Sequence, residues 1–149
     1  MIQNVQVQTV WSEAELSALA VKAFQGLGLT QADAKDVVQV LVMADLFGLS
    51  THGLSRVESY GERLLVEGIS ARPNITVQSP APALRLVDGD NGVGPLVGMH
   101  ALRAAMQAAR ECGIGMAFAR GSNHFGPISP YSLLAAQQGF ASIIGSNAT

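Results

Sequence analysis

The sequence predicts an α/β fold in which a helical N-terminal part precedes the first strands and helices of a layered sheet. Three observations carry this prediction. Before Pro73 apolar residues recur at helical spacing and glycines punctuate them, whereas from Asn74 onward short β-branched runs alternate with helical stretches. The third is composition: 48% of the 149 residues are hydrophobic and 13% charged, enough apolar material for a real core. Strands that alternate with helices of this length build a layered sheet rather than a bundle.

The first helix opens at Ser12-Glu13-Ala14-Glu15, a capping box in which the serine hydroxyl and the glutamate carboxylate each take one orphan backbone N–H. Leu16, Leu19, Ala20, Ala23, Phe24 and Leu27 follow at helical spacing until Gly26 and Gly28 end the pattern, so this helix covers about 12–27. Thr30 caps the second, Asp33 sits in its first turn where negative charge suits the helix start, and Val37, Val38, Leu41, Ala44 and Phe47 mark its apolar face up to Gly48. The third begins near Gly53, presents Val57, Tyr60, Leu64 and Leu65, and stops at Gly68. The boundary near 70–73 divides the chain into a helical part, 1–72, and an α/β part, 73–149. In the second part 75–77, 83–87, 114–119 and 141–144 are predicted strands, with helices over 95–111 and 129–138. No internal repeat or low-complexity tract interrupts this order.

Only Gly145-Ser146-Asn147-Ala148-Thr149 follows the fourth predicted strand, which would leave a sheet edge open. The expectation is an N-terminal portion of a longer protein, or one chain of a processed pair that needs a complementary C-terminal chain. A complete small domain is the alternative.

A net charge of −2 with nine scattered Lys and Arg argues against a nucleic-acid footprint and offers no polybasic patch for a membrane. No apolar run approaches the ~18 residues of a membrane span, and 1–10 lacks a basic region followed by an apolar core. The single Cys112, within an apolar helical pattern, excludes an intrachain disulfide and is expected to be a core thiol in a reducing compartment. A cytoplasmic protein is expected.

The chemistry concentrates in three segments. Gly89-Asp90-Asn91-Gly92-Val93-Gly94-Pro95-Leu96-Val97-Gly98 is glycine-rich between a strand and a helix, but its third glycine falls one place late for a dinucleotide fingerprint. Asp88 and Asp90 would also repel a pyrophosphate, so the segment is expected to be a tight strand-to-helix turn rather than a Rossmann loop. In Thr51-His52-Gly53-Leu54-Ser55-Arg56 an imidazole that titrates near neutrality precedes a guanidinium by four residues at a helix start. Such a pair suits acid–base work on a carboxylate, because arginine holds a carboxylate through two parallel hydrogen bonds. The alternative for Arg56 is a structural ion pair with Asp45 or Glu58. His124, in Ser122-Asn123-His124-Phe125-Gly126, follows a predicted strand, where α/β sheets gather ligands. His100 has no companion motif and is expected to be structural. Ligand spacings of the HxxxH or CxxC kind and a GxSxG elbow are missing, which argues against a metal site and a serine hydrolase.

Asp45-x-x-Gly48-x-x-Thr51-His52-Gly53-x-x-Arg56-x-x-x-Tyr60 closely resembles the Asp-x-x-Gly-x-x-Ser-His-Gly-x-x-Arg-x-x-x-Tyr signature of the malate/L-lactate dehydrogenase family, which is unrelated to the Rossmann-type lactate dehydrogenases. Asp88 to Gly94 is similar to that family's Asp-Gly-Asn-Gly-x-Gly turn, and Ser122 to Gly126 matches its Ser-Asn-His-Phe-Gly motif. The resemblance runs in order from the first helix to Asn147. It implies a non-Rossmann α/β fold, NAD or NADP as cofactor, a homodimer, and reduction of 2-keto acids or cyclic imino acids with oxidation of the corresponding products. Members include malate, sulfolactate, ureidoglycolate, diketogulonate and piperideine-2-carboxylate enzymes. By the same resemblance His52 and His124 fall on proton donor or acceptor positions, Arg56 on the substrate carboxylate, Thr51 on a serine of the substrate site, and Asn147 and Thr149 on a segment at the nicotinamide side. The family's Pro-x-Gly-Gly and Gly-Thr-Asn-Pro segments would lie beyond Thr149. The competing expectation is a non-catalytic carboxylate-binding or assembly fragment that lacks the cofactor half.

Overall fold

The structure, a computed structural model, describes residues 10–147. Helices come first and a small sheet second, as the sequence pattern predicts. Helix α1 (Glu13–Gly26) carries the complete Ser12–Glu15 capping box, and α2 (Gln31–Leu46) is capped by Thr30, whose hydroxyl accepts from Asp33 N at 3.0 Å. A short 3-10 turn (Ser50–His52) links α2 to α3 (Arg56–Leu65). Strands β1 (Thr76–Ala81) and β2 (Leu84–Gly92) pair antiparallel, α4 (Gly94–Cys112) crosses over, and β3 (Met116–Ser122) returns parallel to β2. Helix α5 (Ser129–Gln137) follows, and the strand order is β1-β2-β3.

Two apolar clusters organise these elements. The larger joins Phe24, Val37, Val38, Leu41, Tyr60, Leu64 and Ile69 to Val93 and Leu96, so the start of α4 is packed into the helical part. The smaller brings Val40, Met99 and Tyr131 together, with Phe125 and Ile144 against it. Strand β2 buries Arg85, Val87 and Gly89 on the side where Gly89 meets Val97 of α4. Among the described residues no element covers its other face, where Leu86, Met116 and Phe118 are exposed. The buried Arg85 guanidinium is satisfied by the carbonyls of Ala81, Pro82 and Leu84 and by Glu111, as a buried charge must be.

Four expectations are corrected. No strand forms over 141–144: that segment is irregular, and among the described residues β1 and β3 are the outer strands of the sheet. A strand needs a neighbour for its N–H and C=O groups. Here Gly139 turns the chain at φ +83°, Phe140 N–H closes α5 onto Ala135 O, and Ile144 packs on the smaller cluster. Cys112 is exposed, because the last turn of α4 extends past the packed layers and is solvent-exposed over 110–113. The glycine-rich segment is not a turn from its first glycine: β2 continues through Gly92, with Asp90 and Asn91 in the left-handed region at φ 47° and 56° where the register with β3 shifts. Finally, α3 starts at Arg56 rather than near Gly53, since the 3-10 turn takes up the preceding residues.

Candidate active site

The Asp45 motif makes physical sense as a fold that delivers His52. Gly48 leaves α2 at φ +75°, a conformation that favours glycine. The Asp45 carboxylate then accepts from Leu54 N at 2.8 Å, lying so close to Gly53 that any Cβ there would overlap it. This clamp fixes the 3-10 turn that ends in His52. Thr51 Oγ1 lies 2.9 Å from His52 Nδ1, Ser55 Oγ donates to Ser50 O at 2.6 Å, and Arg56 Nε donates to Thr51 O at 2.7 Å. The ion pairs with Asp45 or Glu58 that sequence left open do not form. Among the described residues Arg56 makes no salt bridge, and no hydrogen bond occupies its two terminal amino groups.

The second histidine is delivered by an equally constrained loop after β3. Asn123 Nδ2 donates to Gly92 O at 2.9 Å and to Asn91 O at 3.2 Å, while Arg63 from α3 donates to Asn123 Oδ1 at 2.8 Å. Gly94 packs its bare Cα against the Asn123 and His124 carbonyls, where a Cβ has no room. Tyr131 donates to Phe125 O and stacks on its ring at 5.3 Å. Tyr60 reaches across from α3: its hydroxyl lies 2.7 Å from His124 Nδ1 and 3.1 Å from His124 O. The outcome is that His52 and His124, 72 positions apart in sequence (124 − 52), face each other with ring centroids 5.5 Å apart.

Partial burial, then the charge of Arg56, then that of His52 hold His124 below the ordinary histidine pKa, so its neutral form prevails at neutral pH. Burial pushes the Tyr60 phenol up to about 12 despite the opposing Arg56 and Arg63, which keeps it protonated. A neutral imidazole beside an open guanidinium fork can anchor a small carboxylate and exchange a proton with the group next to it.

Asn147 is exposed at the end of the described chain, and Thr149 lies outside the described residues. His100 lines a groove of about 730 Å³ between the β1–β2 hairpin and α4, whose lining includes neither of the facing histidines. Its charged walls are already satisfied, Arg85 by Glu111 and Arg103 by both oxygens of Asp36, so size does not make it the better site. As a cradle for a dinucleotide the described residues fit only in part. The first turn of α4 is buried beneath the Asn123 and His124 carbonyls, and Asp88 and Asp90 stand nearby, so no row of backbone amides is open to a pyrophosphate there. Sequence reasoning missed Tyr60, Asn123, Gly94 and Tyr131 as site-building residues. The signal for Tyr60 was present: it lies four residues after Arg56, hence on the same helix face.

A family model described as malate/L-lactate dehydrogenase matches residues 11–149. The chain is 39% identical over 133 residues to a malate dehydrogenase of Pyrococcus abyssi, covering 89% of this chain and 37% of that protein. It is 35% identical over 129 residues to an L-sulfolactate dehydrogenase of Methanocaldococcus jannaschii, covering 87% of this chain and 38% of that one. The structure of malate dehydrogenase from Pyrococcus horikoshii superposes with a TM-score of 0.82 at 38% identity, over 85% of this chain and 36% of its own. The chain thus spans well under half the length of the relatives it matches.

Proposed function

The chain belongs to the malate/L-lactate dehydrogenase family, and from that premise we propose that it forms the acid–base and carboxylate-binding part of an oxidoreductase. The substrate is a 2-hydroxy or 2-keto acid, or a cyclic imino acid. The observation that carries this reading is the Arg56 fork, engaged by no acid among the described residues, beside two facing imidazoles. Arg56 holds the C1 carboxylate through paired charge-assisted hydrogen bonds, and the Thr51 hydroxyl helps seat the substrate. In reduction a histidine of the His52–His124 pair gives a proton to the C2 oxygen or imine nitrogen, and in oxidation it takes that proton back. NAD or NADP, when bound, supplies or accepts the hydride at C2. Asn147 and Thr149 would meet its nicotinamide side, while the rest of the dinucleotide needs residues other than those described. A homo-oligomer, or assembly with a complementary chain, and a cytoplasmic location belong to the same reading. Among the described residues no helix is long and apolar enough to cross a membrane.

Arg56→Ala tests the reading. In the full-length protein it should weaken binding of a 2-keto acid by about 1.5–3 kcal/mol, roughly ten- to a hundredfold, and leave dinucleotide affinity nearly unchanged. Lysine should restore only part, because an ammonium lacks the planar fork. Calorimetric titration with the acid and with its neutral amide decides the matter: equal affinity for the two in the unaltered protein would remove Arg56 from the carboxylate.

A further inference from the structure

The two histidines are held differently, and the difference singles out one atom. His52 Nδ1 faces the Thr51 hydroxyl, a rotor that donates or accepts as required and so imposes no tautomer. His124 Nδ1 faces Tyr60, whose oxygen is shared with the His124 main-chain carbonyl. A phenol has one proton. If Tyr60 spends it on Nδ1, the carbonyl contact at 3.1 Å is left between two acceptors. If Tyr60 gives it to the carbonyl, then Nδ1 must carry a proton and donate it to the phenol oxygen, and both close contacts become hydrogen bonds. Only the second arrangement turns both close contacts of the Tyr60 oxygen into hydrogen bonds, and the Tyr60 side chain itself is 4% exposed.

We propose that Tyr60 is a positioning residue that fixes the tautomer of His124, with the proton kept on Nδ1 and Nε2 left as the atom that takes and gives protons. Among the described residues no hydrogen bond engages Nε2. The arrangement also survives ionisation. When Nε2 gains a proton, the Nδ1–H to Tyr60 and Tyr60 to carbonyl bonds are unchanged, so a proton can come and go without any neighbour turning. The phenol stays protonated throughout, since burial has pushed it up to about 12. The tether is rigid, because the carbonyl it grips belongs to the loop that Asn123 and Gly94 already hold. The consequence for turnover rests on the acid–base role of His124 proposed above; the tautomer itself does not.

The test is long-range ¹H–¹⁵N correlation spectroscopy of the intact protein labelled at histidine, above the His124 ionisation and without substrate. Nδ1 of His124 should show the shift of a protonated nitrogen and Nε2 that of an unprotonated one. In Tyr60→Phe the two should exchange character, since a free imidazole prefers its proton on Nε2. An unprotonated Nδ1 in the unaltered protein overturns the proposal, and so does an Nδ1–H that persists in Tyr60→Phe. If the tautomer is as stated but the protein proves to turn over no 2-hydroxy acid, the inference stands and the functional reading falls.

Discussion

Replacing His124 with glutamine is expected to lower turnover of the full-length protein by roughly 10²- to 10⁴-fold, the usual scale for losing a positioned acid–base group, with dinucleotide binding largely intact. Glutamine keeps the size and one hydrogen-bonding edge but cannot carry the transferred proton. The pH dependence follows from the sign of the pKa shift. Partial burial, Arg56 and His52 depress the His124 pKa, so in the oxidation direction, where the neutral ring must accept a proton, activity persists below the ordinary value of about 6.5 and falls only at lower pH. In the reduction direction the protonated ring is the donor, and activity rises as pH falls through the same range. His52→Gln removes a positive neighbour and should move the His124 ionisation upward. Stopped-flow rates against pH for the unaltered protein and both variants check this. Near-normal turnover and an unchanged profile in both variants would transfer the acid–base role to another residue.

The order of elements was legible because it rests on local signals. The Ser12–Glu15 box and the Thr30 cap both form as the sequence pattern predicts, since a capping side chain needs only its own next turn. Residues 141–144 show where local signals stop. Their β-branched, apolar character is real, but a strand is a property of two chains paired, and the described residues give this one no partner. Cys112 failed for a related reason: an apolar helical pattern predicts which face is buried, not where the packed layer ends. At the site, His52, Arg56 and His124 were named from residue type and motif, whereas their meeting was invisible. Tyr60 read as one more apolar-face residue of α3, and only the fold reveals that its hydroxyl ends on a histidine from the far side of the chain.

Gly94 offers the sharpest test of how that meeting is held. Adding one methyl group there, Gly94→Ala, puts a Cβ into the carbonyls of Asn123 and His124. These are main-chain atoms, gripped by Asn123 on Asn91 and Gly92 and by Tyr60 on His124, so no flexible side chain can swing aside. Overpacking typically costs about 1–3 kcal/mol, and relief here requires the loop itself to shift. A displacement of about 1 Å at a catalytic group can cost on the order of 10²-fold in rate, so the variant should lose both stability and turnover. Gly26→Ala is the control: a Cβ there meets nothing within 4 Å, and alanine should stabilise α1 by up to about 1 kcal/mol. Urea denaturation of the two variants, with the His124 ring signals followed in parallel, separates the outcomes. A Gly94→Ala protein of unaltered stability and unmoved His124 resonances would mean that the loop is not seated on the start of α4, and that the facing histidines owe their geometry to something else.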